Sequence, residues 1–141
     1  YRSSPVQLPG TWAQIDRSRS VLGVKTDGTL WVWGDDASLG LLGLNQPGNT
    51  KYSSPVQIGT DTDWSSNVGA VSGGRGGGMA ACIKTDGTLW MWGKNQFGSL
   101  GQNQTQTEVT ALSSPTQVPG VYTEIQPTNM EQYGVTSLRG V

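Results

Sequence analysis

The ten residues KTDGTLWVWG at positions 25–34 return as KTDGTLWMWG at positions 84–93, nine of ten identical at an offset of 59 positions. A second element keeps a similar step: SSPVQ at 3–7 comes back as SSPVQ at 53–57 and as SSPTQ at 113–117, offsets of 50 and 60. Two unrelated motifs that share one period of this size define a repeat protein, in which no unit can bury its own surfaces and each stacks on its neighbours. Solenoids and propellers are the architectures that such a period permits.

The content of each unit reads as four strands. After SSPVQ comes a segment led by an aromatic residue (Trp12, Trp64, Tyr122), then an apolar run ending at Val24 or Ile83, then the shared hairpin. Asp27-Gly28 and Asp86-Gly87 stand between β-prone residues, and Asp-Gly accepts the positive φ angles of a tight turn. Leu30-Trp31-Val32-Trp33 and Leu89-Trp90-Met91-Trp92 are unbroken apolar runs, so the alternation of a half-wet strand is missing and both faces must be covered. Blades packed between other blades supply that cover. Trp31, Trp33, Trp90 and Trp92 are therefore expected in the core, where each ring removes a large apolar area at about 25 cal/mol per Å². Composition agrees: 21 glycines and 13% charged residues describe short strands joined by frequent turns.

The same composition excludes several chemistries. A net charge of −1, with acids and bases scattered, gives no footprint for a nucleic-acid backbone or an anionic membrane. No apolar run approaches the roughly 20 residues that span a bilayer. Without a single histidine, the chain has no Ser-His-Asp or Cys-His arrangement and lacks the commonest metal ligand. The lone Cys82, inside the apolar run AACIK, is expected as core rather than nucleophile. Asp35-Asp36, and Asp61 with Asp63, are carboxylate pairs without the ligand spacing of a cation site, and they read as solvated loop. The run GGRGGG at 73–78 lacks the Lys-Ser/Thr ending of a phosphate loop; an anion nest assisted by Arg75 is the lesser reading of it. No enzymatic activity and no cofactor are expected.

Each hairpin is followed by a Gly-punctuated loop, GDDASLGLLGLN at 34–45 and GKNQFGSLGQN at 93–103. The two differ in length and charge. Variable loops on a rigid scaffold are where recognition concentrates, which makes Asp35, Asp36, Tyr52, Lys94, Asn95 and Phe97, with Arg75, the candidate recognition residues.

The SSPVQ strand, the aromatic-led strand, the strand ending in KTDG, the TLWxWG strand and the NxxGxLG loop together resemble the repeat of the regulator of chromosome condensation (RCC1) family. In the second copy Trp92, Gly93, Asn95, Gly98, Leu100 and Gly101 follow that family's WGxNxxGxLG pattern in order. The first copy departs from it, with Asp36 in place of the Asn and one extra residue before Gly43; Ser20 and Met79 stand where the family tends to place a His. The resemblance implies an all-β propeller of RCC1 type with four-stranded antiparallel blades, of which about two and a half are present. The expected layout is the last strand of one blade at 3–8, blades at about 12–58 and 64–118, and a partial blade at 121–141. Further blades of a longer chain, or other copies of this one, would then complete a ring. The resemblance also implies a non-enzymatic structural or protein-interaction module. The low charge and near-identical repeats resemble bacterial surface and phage virion members, which favours a virion or cell-surface setting over a nuclear one. A guanine-nucleotide exchange factor and a glycan binder using Phe97, Tyr52 and Asn95 are the alternative readings. The expected partners are proteins, not nucleic acid, with no insertion into a membrane.

Overall fold

A computed structural model describes residues 3–17, 20–36, 40–46, 50–66, 71–72, 78–95, 98–104, 107–127 and 135–140. The first sheet is a meander of β1 (Trp12–Arg17), β2 (Ser20–Lys25), β3 (Leu30–Asp35) and β4 (Lys51–Gln57), hydrogen-bonded in that order. The second repeats it with β5 (Val71–Ser72), β6 (Met79–Ile83), β7 (Leu89–Lys94) and β8 (Ala111–Val118). A two-stranded sheet of β9 (Tyr122–Pro127) and β10 (Val135–Gly140) follows. All pairings within the sheets are antiparallel.

Internal repetition holds down to register. Ser20 faces Gly34 across the first central pair and Met79 faces Gly93 across the second. Each third strand then slips against its fourth at one place, between Val32 and Gly34 and between Met91 and Gly93. That irregularity falls on the second Trp of each LWxWG strand.

The shared ten-residue motif is a hydrogen-bonded relay. Asp27 Oδ1 accepts from the Thr29 amide (3.1 Å) and hydroxyl (2.6 Å), and the Thr29 hydroxyl oxygen accepts from Trp31 Nε1 at 2.7 Å. Asp86, Thr88 and Trp90 do the same at 2.9, 2.7 and 2.9 Å. The turn is one residue longer than a tight Asp-Gly hairpin. Gly28 N donates to Lys25 O while Lys25 N donates to Thr29 O, so three residues form the loop. Only the glycine takes positive φ, 81° at Gly28 and 83° at Gly87; Asp27 and Asp86 do not. This is a type I turn closed by a glycine bulge, and it leaves the Asp free to accept from the Thr two positions on.

Alternation along the strands sends successive side chains to opposite neighbours. Leu22, Val24, Leu30 and Val32 of the first sheet meet Ala80, Cys82 and Trp92 of the second and Trp64 of the connection between the sheets, with Leu41, Leu42 and Ile58 filling between them. Met79, Ala81, Ile83, Leu89 and Met91 face the other way, toward Val118 and Tyr122. Trp92 is fully buried at this junction. Its Nε1 donates to Leu41 O at 3.0 Å, and its ring lies on Gly43, where a Cβ would stand 2.7 Å from the indole nitrogen. Main-chain bonds repeat as well: Trp64 N donates to Gly28 O and Tyr122 N to Gly87 O, tying each aromatic-led strand to the hairpin of the unit before it.

Three expectations are corrected. Residues 3–8 are exposed and form no strand, because the described residues hold no third strand for them to pair with. Trp31 and Trp90 are only half-buried, since each reaches out to its turn threonine. Trp33, the counterpart of Trp92, is half-buried too; it lies 5.4 Å from Trp12, centroid to centroid, on the face of the first sheet turned away from the second.

Two outcomes follow from this architecture. Trp92→Ala should cost about 3–5 kcal/mol in urea unfolding, and Trp92→Phe about 1–3 kcal/mol, through the unpaired Leu41 carbonyl and a poorer fit. The hydrogen bonds from Thr29 and Thr88 hold the Asp27 and Asp86 carboxyls below their ordinary value of 3.8. Their contribution is therefore complete above that value and is lost as pH falls through the lower, folded-state one. Asp27→Asn with Asp86→Asn should flatten the acid limb of stability measured between pH 5 and pH 2.

Candidate interaction site

The loops that follow β3 and β7 leave the sheets at equivalent points and carry different charges. Asp35 pairs with Lys51 across β3 and β4, with Lys51 Nζ 3.4 Å from Asp35 Oδ2 and both side chains exposed. Lys94 holds the corresponding place in the second sheet, opposite Ala111. An exposed pair of this kind adds little stability. What differs is the charge balance, since Asp35 is paired with Lys51 whereas Lys94 stands opposite the uncharged Ala111.

The next residue of each loop points inward. Asn95, expected on the recognition surface, is 1% exposed. Its Nδ2 donates to Gln104 O (3.1 Å) and Val109 O (2.9 Å), and its Oδ1 accepts from Leu100 N at 3.2 Å. It braces the loop from within and is closed to a ligand. Asp36, also expected at the surface, is 2% exposed. Tyr52 is half-buried against the core between the sheets. Arg75 and Phe97 lie outside the described residues. The glycan reading therefore keeps only Tyr52 of its three candidates among the described residues, and that side chain is engaged in packing.

The structure instead brings together residues that lie far apart in the chain. A cleft of about 430 Å³ opens between the first two sheets, lined by Leu44, Asn45, Asp61, Trp64, Trp90 and Pro115. The candidate recognition residues in the described segments do not line it. Trp64 and Trp90 meet edge to face at 6.3 Å between centroids. Lys84 Nζ lies over both rings, 5.0 and 4.9 Å from their centroids, and also contacts Asp61 at 2.7 Å and Asp63 at 3.2 Å. Burial pulls the Lys84 ammonium pKa down, but the hydrogen bonds and charges of Asp61 and Asp63 outweigh it and leave the group above its ordinary value. The Asp61/Asp63 pair is thus neutralised by a lysine. Lys25 repeats the ring contacts in the first unit, 5.1 Å from Trp12 and 3.7 Å from Trp31. The acids have no counterpart there, because Pro9 and Thr11 stand three and one positions before Trp12. Sequence carried one usable signal for this cluster, the Lys of KTDG placed six residues ahead of a Trp.

Cys82 is fully buried, and burial first, with the Asp16 charge second, pushes its thiol well above the ordinary value of 9.0. Among the described residues no group of three or more His, Cys, Asp or Glu side chains could hold a metal.

Residues 86–126 match the family model for the regulator of chromosome condensation (RCC1) repeat. One segment of the chain is thus similar to an RCC1 repeat. Its fold is that of the RCC1 β-propellers, matched over most of the chain. Yeast RCC1 (Prp20) bound to Kap60 superposes with a TM-score of 0.67 at 18% identity, covering 87% of this chain and 27% of that one. Human WBSCR16 gives 0.59 at 18%, covering 86% and 29%. Prp20p from Saccharomyces cerevisiae, in a structure described with its binding to Gsp1p and histones, gives 0.59 at 13%, covering 79% and 28%. The chain thus spans less than a third of each of these proteins. No protein of curated function matches it by sequence. The RCC1 repeat starts at the Asp86 turn, runs through β7 and β8, and ends inside β9, so one sequence unit is shared between two sheets. The bond from Tyr122 N to Gly87 O closes that unit on itself.

A thiol probe at pH 8 should leave Cys82 unmodified in the native protein and label it fully in denaturant. Labelling of the native protein at the rate of a free thiol would place Cys82 outside the packed junction.

Proposed function

We propose that this segment belongs to a non-enzymatic RCC1-type propeller that works by binding protein, as a structural or interaction module. The observation that carries the reading is the contrast between scaffold and loops. The two sheets share register, turn chemistry and a buried junction, whereas their β3–β4 and β7–β8 loops differ in length and reverse charge at Asp35 and Lys94. Selection for a common frame with individual loops is what a binding propeller requires. The likeness to Prp20, solved with Kap60 bound, supports protein as the class of ligand. Within this reading we place the propeller in a virion or cell-surface assembly, on the strength of its low charge and near-identical repeats.

Photo-crosslinkers at Asp35 and Lys94 test it in the protein's native source. The expected result is a discrete crosslinked protein at one or both positions, lost when the 34–45 and 93–103 loops are exchanged. Substrate turnover by the purified protein, or accelerated nucleotide release from a GTPase, would replace this reading with a catalytic or exchange function.

A further inference from the structure

Asp36 and Asn95 occupy the same place in the two repeats, and the difference between them is one of hydrogen-bonding sign. Both are buried, 2% and 1% exposed. Both donate their backbone N–H to the fourth strand side, Asp36 N to Thr50 O at 3.0 Å and Asn95 N to Thr110 O at 2.9 Å. Asn95 satisfies its site with an amide, whose two hydrogens go to the carbonyls of Gln104 and Val109. A carboxylate has no hydrogens to give. In the first repeat it leaves Asp36 Oδ1 buried without a partner. Among the described residues no ion pair reaches Asp36; the neighbouring Lys51 is engaged with Asp35.

Where the structure describes it, the backbone around Asp36 corresponds to that around Asn95. Asn45 and Asn103, the corresponding loop residues, both take left-handed backbone conformations, φ 51° and 53°. Gln46 follows the one as Gln104 follows the other. By that correspondence, the Asp36 carboxylate stands where its sister has an amide donating to the Gln104 carbonyl, whose counterpart is the carbonyl of Gln46. Oxygen atoms collected without a hydrogen between them repel one another, and an unpaired buried charge is costly. A hard cation removes both penalties, because oxygen ligands, one of them anionic and the rest carbonyls and water, are what Ca²⁺ prefers.

We propose that Asp36 is the anionic ligand of a Ca²⁺ site in the loop after β3, with the Gln46 carbonyl as a second ligand, and that the cation replaces the bracing amide of Asn95. The site would rigidify the loop that carries Asp35.

Thermal unfolding of the protein in EDTA and then in CaCl₂, with MgCl₂ and NaCl in parallel, tests this, using wild type, Asp36→Asn and Asp35→Asn. Saturating Ca²⁺ is expected to raise the wild-type and Asp35→Asn midpoints, with the folded-to-unfolded ratio rising about 100-fold at 100 times the dissociation constant. Asp36→Asn is expected to be insensitive to Ca²⁺ and, in EDTA, at least as stable as wild type, because it restores the donors its sister repeat uses. Equilibrium dialysis of the wild type against ⁴⁵Ca²⁺ gives an independent readout should that variant fail to fold, with one equivalent bound expected. A wild-type midpoint unmoved by Ca²⁺, an equal shift in Asp36→Asn, or no bound ⁴⁵Ca²⁺ would each overturn the proposal.

Discussion

The indole of Trp92, seated on Gly43 and bonded to the Leu41 carbonyl, is the contact on which the relation between the first two sheets depends. Neither four-stranded sheet has a self-contained core. The second sheet sends one set of side chains to the first sheet and the alternate set toward Tyr122 of β9, so stability arises at junctions, as in other repeat proteins. A loop that lies across the junction must then present a position with no side chain, because any Cβ at residue 43 would enter the indole ring. The Gly, Leu and Gly of the loop and the second Trp of the strand are therefore parts of one joint, although they belong to different repeats.

That division of labour explains which features were legible in the sequence. The hairpins and the LWxWG strands were readable because their determinants are local: Asp, Gly and Thr within three residues fix the turn, and the same Thr orients the first Trp. Cover was expected on both faces of these strands; on β7 Leu89, Met91 and Trp92 are buried, whereas on β3 Trp31 and Trp33 are half-buried. The degree of cover was not readable, because it depends on what lies beyond the junction. Trp33 and Trp92 have nearly identical neighbours in sequence, yet one is half-buried beside Trp12 and the other is fully enclosed. The length of the turn was misjudged for a different reason. Asp-Gly is compatible with two loop types, and the choice was made by the Thr that follows, whose amide and hydroxyl both seek the Asp carboxylate.

The candidate recognition residues were chosen as polar groups in variable loops, and that criterion fails where a loop must satisfy its own backbone. A Gly-rich segment folded over a junction buries carbonyls that no strand can pair, and a side-chain amide is the economical donor for two of them. Asn95 is consumed in that way. Position at the strand end is a better guide to the surface than polarity or charge, since Asp36 is buried. Asp35 and Lys94, one position earlier in each loop, sit at the ends of strands and reverse sign from one repeat to the next. Only the Lys-to-Trp spacing of the Lys84 cluster was local, since its acids and Trp64 come from the connection between sheets and Trp90 from β7.

A repeat array can vary its loops only where the joint tolerates it, and the two repeats show where that boundary runs. Position 35 in the first repeat and 94 in the second are outside the joint and accept either charge. Positions 36 and 95 are inside it, at the same burial, and there an amide and an acid are not equivalent: the acid removes two donors and adds a charge at a point built to receive hydrogens. Either exchange can occur in a single residue, yet the first alters only what the blade shows to a partner. The second leaves a buried carboxylate oxygen without a hydrogen-bond partner, and the proposed Ca²⁺ site rests on that oxygen.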